Sequence, residues 1–400
     1  MQIGLVGKPN VGKSTMFKAI TLQDVAIANY PFTTIEPNKG IGYVRVEDVG
    51  PEFGVRSNPR YGFIKGKYRF VPVEIVDIAG LVPGAHEGRG LGNKFLDDIR
   101  QADALIHVVD ISGATDEEGR YIGAGNYDPS KDIKWLEEEI DWWFFEIIKK
   151  NLERNIRKIK NEKLELDKEL SKLISGLNVR LSHIEIAFNK LKISKEDYDI
   201  INDNKKLFEL ASEIRKLSKP IVIAANRVDI NIDIAKRNLK KLRDMFPDKI
   251  IIPASGYAEI ILKELDRSGK IEYIPGEGYF EIKGNLNEKE IKALDFIQEK
   301  IFKEFGSTGV QNLLDTLVFD ILKYVAVFPG GVDRLADKDG RILPDCFLMP
   351  PGSTVIDFAE RIHSDLAKNF IKAIDVRTGK ILGRDYVLKH RDIIQIVAGK

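Results

Sequence analysis

Apolar residues in this chain gather into short runs separated by long periodic stretches, and that contrast predicts the architecture. Residues 2–6, 70–77, 104–110, 220–225 and 249–253 are apolar runs of strand length, as buried strands require. Residues 42–46 alternate instead, as Gly42-Tyr43-Val44-Arg45-Val46, which fits an edge strand. Met16, Phe17, Ala19 and Ile20 follow the first run with helical spacing, so the expected class is α/β.

The period changes after Asp128-Pro129, a cap followed by proline at a first helical position. Leu136, Ile140, Trp143, Ile147, Leu152, Ile156 and Ile159 form one helical set, broken at Ser175-Gly176. Leu181, Ile184, Phe188, Leu191, Leu207, Leu210, Ile214 and Leu217 form a second. Residues 130–218 are therefore expected to be a helical hairpin or coiled coil inserted between two strands. Helical spacing returns over 288–305 and 308–324, and short alternating runs with one helix fill the last part. These runs suggest a β-grasp module. The expected division is 1–129 with 219–321, an insert at 130–218, and a module at 322–400.

The turns between these elements carry the chemistry. Gly7-Lys8-Pro9-Asn10-Val11-Gly12-Lys13-Ser14-Thr15 stands between the first strand and the first helix, the context that a phosphate-binding P-loop needs. Gly7 and Gly12 allow the backbone to curl, so that N–H groups and the helix dipole converge on an anion. Lys13 would bridge the outer phosphates, and the Ser14 hydroxyl would bind Mg²⁺, a hard cation. Tyr30-Pro31-Phe32-Thr33-Thr34 lies where a first switch loop belongs; Thr34, or Thr33 beside it, could complete the metal shell and sense the γ phosphate. Asp77-Ile78-Ala79-Gly80 closes the second run. Asp77 is expected to hold Mg²⁺ and the Gly80 N–H to bond the γ phosphate. Leu81 stands where many GTPases have a water-orienting Gln, and leucine cannot make that bond. The glycine-rich loop after it carries His86 and Arg89, either phosphate contacts or solvated loop residues.

Composition narrows the setting. The 400 residues hold 62 Lys+Arg against 61 Asp+Glu, a formal charge of +1, so any RNA contact must come from a local patch. Such a patch exists at 149–172, thick with Lys and Arg, read either as a solvated face or as a docking arm for RNA. Cys346 is the single cysteine, which excludes an internal disulfide framework and fits a reducing compartment. No apolar run reaches the ~18 residues of a membrane span, and a strand starting at Gln2 leaves no room for a signal peptide. The expected location is the cytoplasm. His107, inside an apolar run, reads as a strand histidine rather than a ligand.

The P-loop, the Tyr30–Thr34 stretch, Asp77-Ile78-Ala79-Gly80-Leu81-Val82 and the glycine-rich loop together resemble the Obg family of GTPases, nearest its YchF-type branch. Pro351-Gly352-Ser353-Thr354-Val355, Ile362-His363-Ser364-Asp365-Leu366 and His390-Arg391-Asp392-Ile393-Ile394 are similar to that branch's TGS domain. The resemblance implies a GTP-hydrolysing switch that works with the ribosome or RNA, as a monomer. It also makes Asn10 a candidate K⁺ ligand. Asn226-Arg227-Val228-Asp229 resembles the base-recognition motif N-K-x-D with Arg for Lys, and Ala254-Ser255-Gly256 resembles the last base-contacting loop. Many YchF-type members have Glu at the position of Asp229 and are associated with ATP. Asp accepts two hydrogen bonds from guanine that adenine cannot donate, so GTP is expected. The expected nucleotide contacts are Gly7, Asn10, Val11, Gly12, Lys13, Ser14, Thr15, Asn226, Arg227, Asp229, Ser255 and Gly256. Lys13, Thr34 and Gly80 are expected to act in catalysis, and Ser14, Thr34 and Asp77 to hold the metal. An ATPase of the same fold and a nucleotide-gated RNA scaffold are the alternatives.

Overall fold

The computed structural model describes residues 1–22, 38–78 and 98–399. Its central sheet has seven strands: β1 (Gln2–Val6), β2 (Lys39–Glu47), β3 (Phe63–Lys65), β4 (Tyr68–Asp77), β5 (Ala104–Asp110), β6 (Ile221–Asn226) and β7 (Ile251–Pro253). The order is β2-β4-β1-β5-β6-β7, with β3 added to β4. The strands from β4 to β7 in that order pair in parallel, while β2 and β3 run antiparallel to β4. Every residue of β5 is buried, because a central parallel strand is covered on both faces and must be apolar throughout.

One face is covered by α1 (Lys13–Thr21), whose Met16, Ala19 and Ile20 pack with Ile3, Leu5, Val44 and Ile106. The other is covered by helices between β5 and β6: α2 (Ser130–Asn161), α3 (Leu166–Leu173), α4 (Leu181–Leu191) and α5 (Asn204–Ser218). Phe144, Phe145 and Ile148 of α2 share one core with Leu105 and Val6 of the sheet and with Leu210 and Ile214 of α5. The base of the insert is thus part of the sheet's own core.

The expected hairpin exists in its two long legs, α2 and α5, but the first helix does not run on to Ser175. It ends at Asn161, and Lys163 takes a left-handed φ of 50°. Leu166 and Leu170 then enter the same core as Ile184 and Phe188. An extended leg would leave these apolar side chains in water, at about 1.5–3 kcal/mol each. The chain therefore folds back as two shorter helices.

After β6 come α6 (Ile232–Met245), α7 (Gly256–Arg267) and the hairpin of β8 (Ile271–Tyr273) and β9 (Phe280–Ile282). Helical segments cover 288–305 and 310–321; the first widens to π-type turns over Ile297–Phe302 before a final α turn, and the second ends in them over Thr316–Ile321. A second sheet then forms from β10 (Val325–Pro329), β11 (Phe347–Met349), β12 (Phe370–Asp375), β13 (Ile381–Leu382) and β14 (Ile393–Ala398), in the order β11-β10-β14-β12-β13. The helix Val355–Ile362 packs Val355 and Phe358 against Val327, Met349 and Ile394. A capping box of Thr354 and Asp357 starts it.

This module sits on the segment between β2 and β4. The Asn58 N–H donates to the Ile342 carbonyl at 2.8 Å, and the Arg60 N–H to the Pro344 carbonyl at 2.8 Å. Arg69, 1% exposed, donates Nη1 to the Leu343 carbonyl and Nη2 to the Pro344 carbonyl, each at 2.6 Å. Arg377 and Arg391 both pair with Glu52 at the rim. Among the described residues no helix is long and apolar enough to cross a membrane.

Candidate functional site

The carboxyl ends of four adjacent strands converge on one crevice, the place where open α/β sheets bind ligands. β1 delivers the P-loop, β4 ends in Asp77 opposite Leu5, and Asp110 of β5 stands beside Asn226 of β6. The loop passes so close to β5 that a Cβ on Gly7 would lie 2.6 Å from the Val108 carbonyl. Gly12 has a φ of 89° and caps α1 without any side-chain hydrogen bond, and the first turn of α1 holds no acidic residue. Lys13, Ser14 and Thr15 begin that helix, so their N–H groups and the positive dipole end address the crevice. Val11 is fully buried. Lys13 forms a short ion pair with the Asp77 carboxylate, which puts a cation and an acidic oxygen at the mouth of the loop.

A second network lies behind the loop. Lys8 is 2% exposed; its Nζ is 3.1 Å from the Thr115 carbonyl, 3.1 Å from Asp132 Oδ1 and 2.8 Å from Oδ2. The ammonium also lies 3.8 Å from the centre of the Tyr127 ring, and the Tyr127 hydroxyl donates to Asp132 Oδ1 at 2.8 Å. Burial raises the Asp132 carboxyl above its ordinary range while Lys8 opposes that rise. Asp132 belongs to the first turn of α2, so this pair ties the P-loop to the root of the helical insert. Asn10, with φ 61°, donates Nδ2 to the Gly119 carbonyl at 3.0 Å in the same connecting segment. His107 is buried on β5, and burial, followed by Lys8 and Lys249, depresses it to about 3, so the ring is neutral.

The base-side residues are fixed to each other. Asn226 donates Nδ2 to the Val11 carbonyl at 3.1 Å and accepts from the Gly256 N–H at 3.2 Å. Its amide is thereby a brace between the P-loop and the loop before α7. Ser255, fully buried, caps α7 by accepting from the Ala258 N–H and donates to Asp229 Oδ1 at 2.6 Å. Arg227 takes a φ of 67° and donates Nη1 to Asp110 Oδ2 at 2.9 Å.

Known families match this chain in three segments: a 50S ribosome-binding GTPase model over 2–141, the Obg-like GTPase YGR210-like, G4 motif-containing domain over 224–331, and a TGS domain over 336–398. A GTP-binding protein of Methanocaldococcus jannaschii is 45% identical, with 99% of this chain and 98% of the relative aligned. The chain belongs to the YchF-type branch of the Obg GTPase family. A ribosome-binding ATPase of the same branch, YchF of Buchnera aphidicola, is 32% identical over 92% of this chain and 86% of its own. The crystal structure of a GTP-binding protein from Pyrococcus horikoshii superposes with a TM-score of 0.78 at 36% identity, covering 100% of both chains.

For this YchF-type GTPase the structure brings together the P-loop residues, Asp77, the Asn226–Asp229 loop and Ser255-Gly256. Thr34 and Gly80, with Leu81, His86 and Arg89, lie outside the described residues. Sequence reasoning did not single out Lys8, Asp110, Thr115, Tyr127 or Asp132. One signal for Asp110 was present, since an acidic residue at the carboxyl end of a buried strand, shortly before a Gly, is what drew attention to Asp77. Lys8 carried no such signal, because a lysine in a glycine-rich turn ordinarily points to solvent.

On α2, Lys150, Arg154, Arg157 and Lys158 are exposed. Lys160, Lys168 and Lys172 pair with Asp199, Glu165 and Glu169. Among the described residues, no ion pair joins the first four to a carboxylate.

Proposed function

We propose that this YchF-type GTPase is a guanine-selective switch whose nucleotide state governs contact with the ribosome. The observation that carries the guanine assignment is Asp229, whose Oδ1 accepts from buried Ser255; that bond fixes the carboxylate and leaves acceptor sites on both oxygens for the two guanine donors. Asn226 acts from behind as the brace described above, and Gly256 completes the loop. Main-chain N–H groups of the loop from Gly7 to Thr15 bind the phosphates, Lys13 bridges the outer two, and Gly80 and Thr34 close on the γ phosphate. The 1–129 and 219–321 segments form the nucleotide domain, 130–218 the arm and 322–400 the TGS-like module, in a monomeric cytoplasmic protein. Competition of GTP and ATP against a fluorescent GDP analogue tests the assignment; equal competition would make the protein an unselective NTPase.

The residues present fit Mg²⁺. No cluster of three His, Cys, Asp or Glu side chains exists among the described residues, and the Ser14 hydroxyl and the Asp77 carboxylate are the sparse hard oxygens that Mg²⁺ uses alongside phosphate and water. Thr34 would complete that set. The ion would neutralise charge developing on the transferred phosphate. The chain's own contribution is positioning by Lys13 and the N–H groups.

Leu81 cannot orient water, so hydrolysis by the purified protein in Na⁺ buffer is expected to be slow. Asn10 Oδ1 is the atom able to ligate K⁺, since Nδ2 is committed to Gly119. Replacing Na⁺ by K⁺ is expected to raise the single-turnover rate severalfold, and equal rates in the two salts would remove this role.

The basic face of α2 supports an RNA contact. Exchanging Lys150, Arg154, Arg157 and Lys158 for Gln is expected to lower co-sedimentation with ribosomes and to flatten its dependence on salt by up to about four units of log–log slope. Unchanged binding would return that face to the role of a solvated helix surface.

A further inference from the structure

Arg227 departs from the lysine usual in its motif, and the structure shows what the arginine engages. Asp110, 1% exposed, closes β5 beside Asn226. Its Oδ1 accepts from the Ser112 N–H at 3.1 Å and the Ser112 hydroxyl at 2.5 Å. Its Oδ2 accepts from the Thr115 hydroxyl at 3.0 Å and from Arg227 Nη1 at 2.9 Å. Three of these donors come from the segment after β5 and fix the carboxylate's rotamer. The fourth is the only one on the base-recognition loop.

Arg227 therefore bridges two places. Its guanidinium is anchored on β5, and its Nε lies 3.6 Å from the Cβ position of Gly12 in the P-loop. Both contacts are made by the guanidinium, so the far end of the side chain is held between β5 and the P-loop, and the aliphatic stem joins that end to the backbone of the loop that carries Asp229. A buried carboxylate needs a cationic or multiply hydrogen-bonded partner, and the planar fork of Arg reaches it with Nη1. A lysine would present one point charge and no fixed plane.

We propose that Asp110 is a positioning residue for nucleobase recognition, holding Arg227 so that its stem forms one wall of the purine pocket before nucleotide arrives. The inference rests on the guanine reading above and deepens it: Asp229 selects guanine, and a buried acid one strand away from the motif holds the wall against which the purine lies. Preorganising the stem avoids the entropy of ordering a long side chain at binding. Because the wall contacts the base and not the phosphates, its loss should fall on purines more than on pyrimidines.

The test is the dissociation constant of GDP and of UDP, by competition with a fluorescent GDP analogue, for wild type and Asp110→Asn, with melting temperature as a check on folding. Asp110→Asn is expected to weaken GDP about tenfold, the loss of one charge-assisted hydrogen bond, and UDP less than about twofold. In turnover of GTP the change should fall on KM. Arg227→Met removes the anchor from a partly exposed site and should reproduce the same split; it carries the test if Asp110→Asn does not fold. Equal weakening of GDP and UDP, or unchanged GDP binding in either folded variant, would overturn the proposal. A wild-type chain that prefers ATP would overturn the guanine reading, and that outcome is visible before any variant is made.

Discussion

Asp229→Asn is expected to reduce discrimination of GTP from ATP by as much as about 10⁴-fold, the range set by leaving a base's hydrogen-bonding groups unmatched. Guanine offers two adjacent donors, N1–H and the 2-amino group, which a carboxylate accepts together. An amide has one accepting oxygen and a donating nitrogen, so one guanine donor would face another donor. Xanthine carries an oxygen where guanine carries the 2-amino group and pairs with the amide, so XTP should gain as GTP loses. Ser255 keeps its role in either case, because the amide oxygen can accept from it as Asp229 Oδ1 does at 2.6 Å. The measurement is competition by GTP, ATP and XTP for one fluorescent nucleotide. An unaltered order of the three would take Asp229 out of base recognition.

Lys8→Met is expected to lower stability by about 3–5 kcal/mol, the usual consequence of removing one partner from a buried ion pair. Lys8 and Asp132 are 2% and 5% exposed, so solvent cannot replace the missing ammonium. The double variant Lys8→Met with Asp132→Leu should recover much of the loss, since no buried charge then remains. The pH dependence has a definite sign. Burial raises the Asp132 carboxyl above its ordinary value of 3.8 even with Lys8 opposing, and without Lys8 the rise is larger. A folded-state value above the unfolded one means that the native state binds the extra proton. The variant's deficit relative to wild type should therefore be least below the unfolded value and grow as pH rises through the folded one. Urea midpoints across that window measure it, and a deficit independent of pH would mean that Asp132 is not the group left unpaired.

The sheet was legible because its buried strands are unbroken apolar runs, as at β5, and the P-loop was legible because its glycines leave few alternatives. The legs of the insert were visible in the helical period, but its folded-back middle was not. Leu166 and Leu170 continue a helical pattern whether the helix extends or reverses, and only their burial against Ile184 and Phe188 decides between the two. Within the site, side chains that make main-chain contacts left little trace. Asn226 reads from its motif as a base contact, yet its amide joins Val11 to Gly256. Lys8 and Asp132 are far apart in sequence, and neither residue has a local pattern announcing the pair.

The seat of the C-terminal module has a consequence for how such chains can diverge. Asn58, Arg60 and Arg69 reach the peptide carbonyls of Ile342, Leu343 and Pro344 rather than their side chains. A peptide carbonyl is the same whichever residue bears it. Substitutions at those three positions that keep the backbone path leave every acceptor in place, so the docked geometry is insulated from change there. Asn58 and Arg60 donate through their peptide N–H groups and are equally generic, so the constraint falls on Arg69, whose two amino groups no other side chain can present in that plane. Of these four bonds, the two from Arg69 are keyed to a side chain and the two from peptide N–H groups are not.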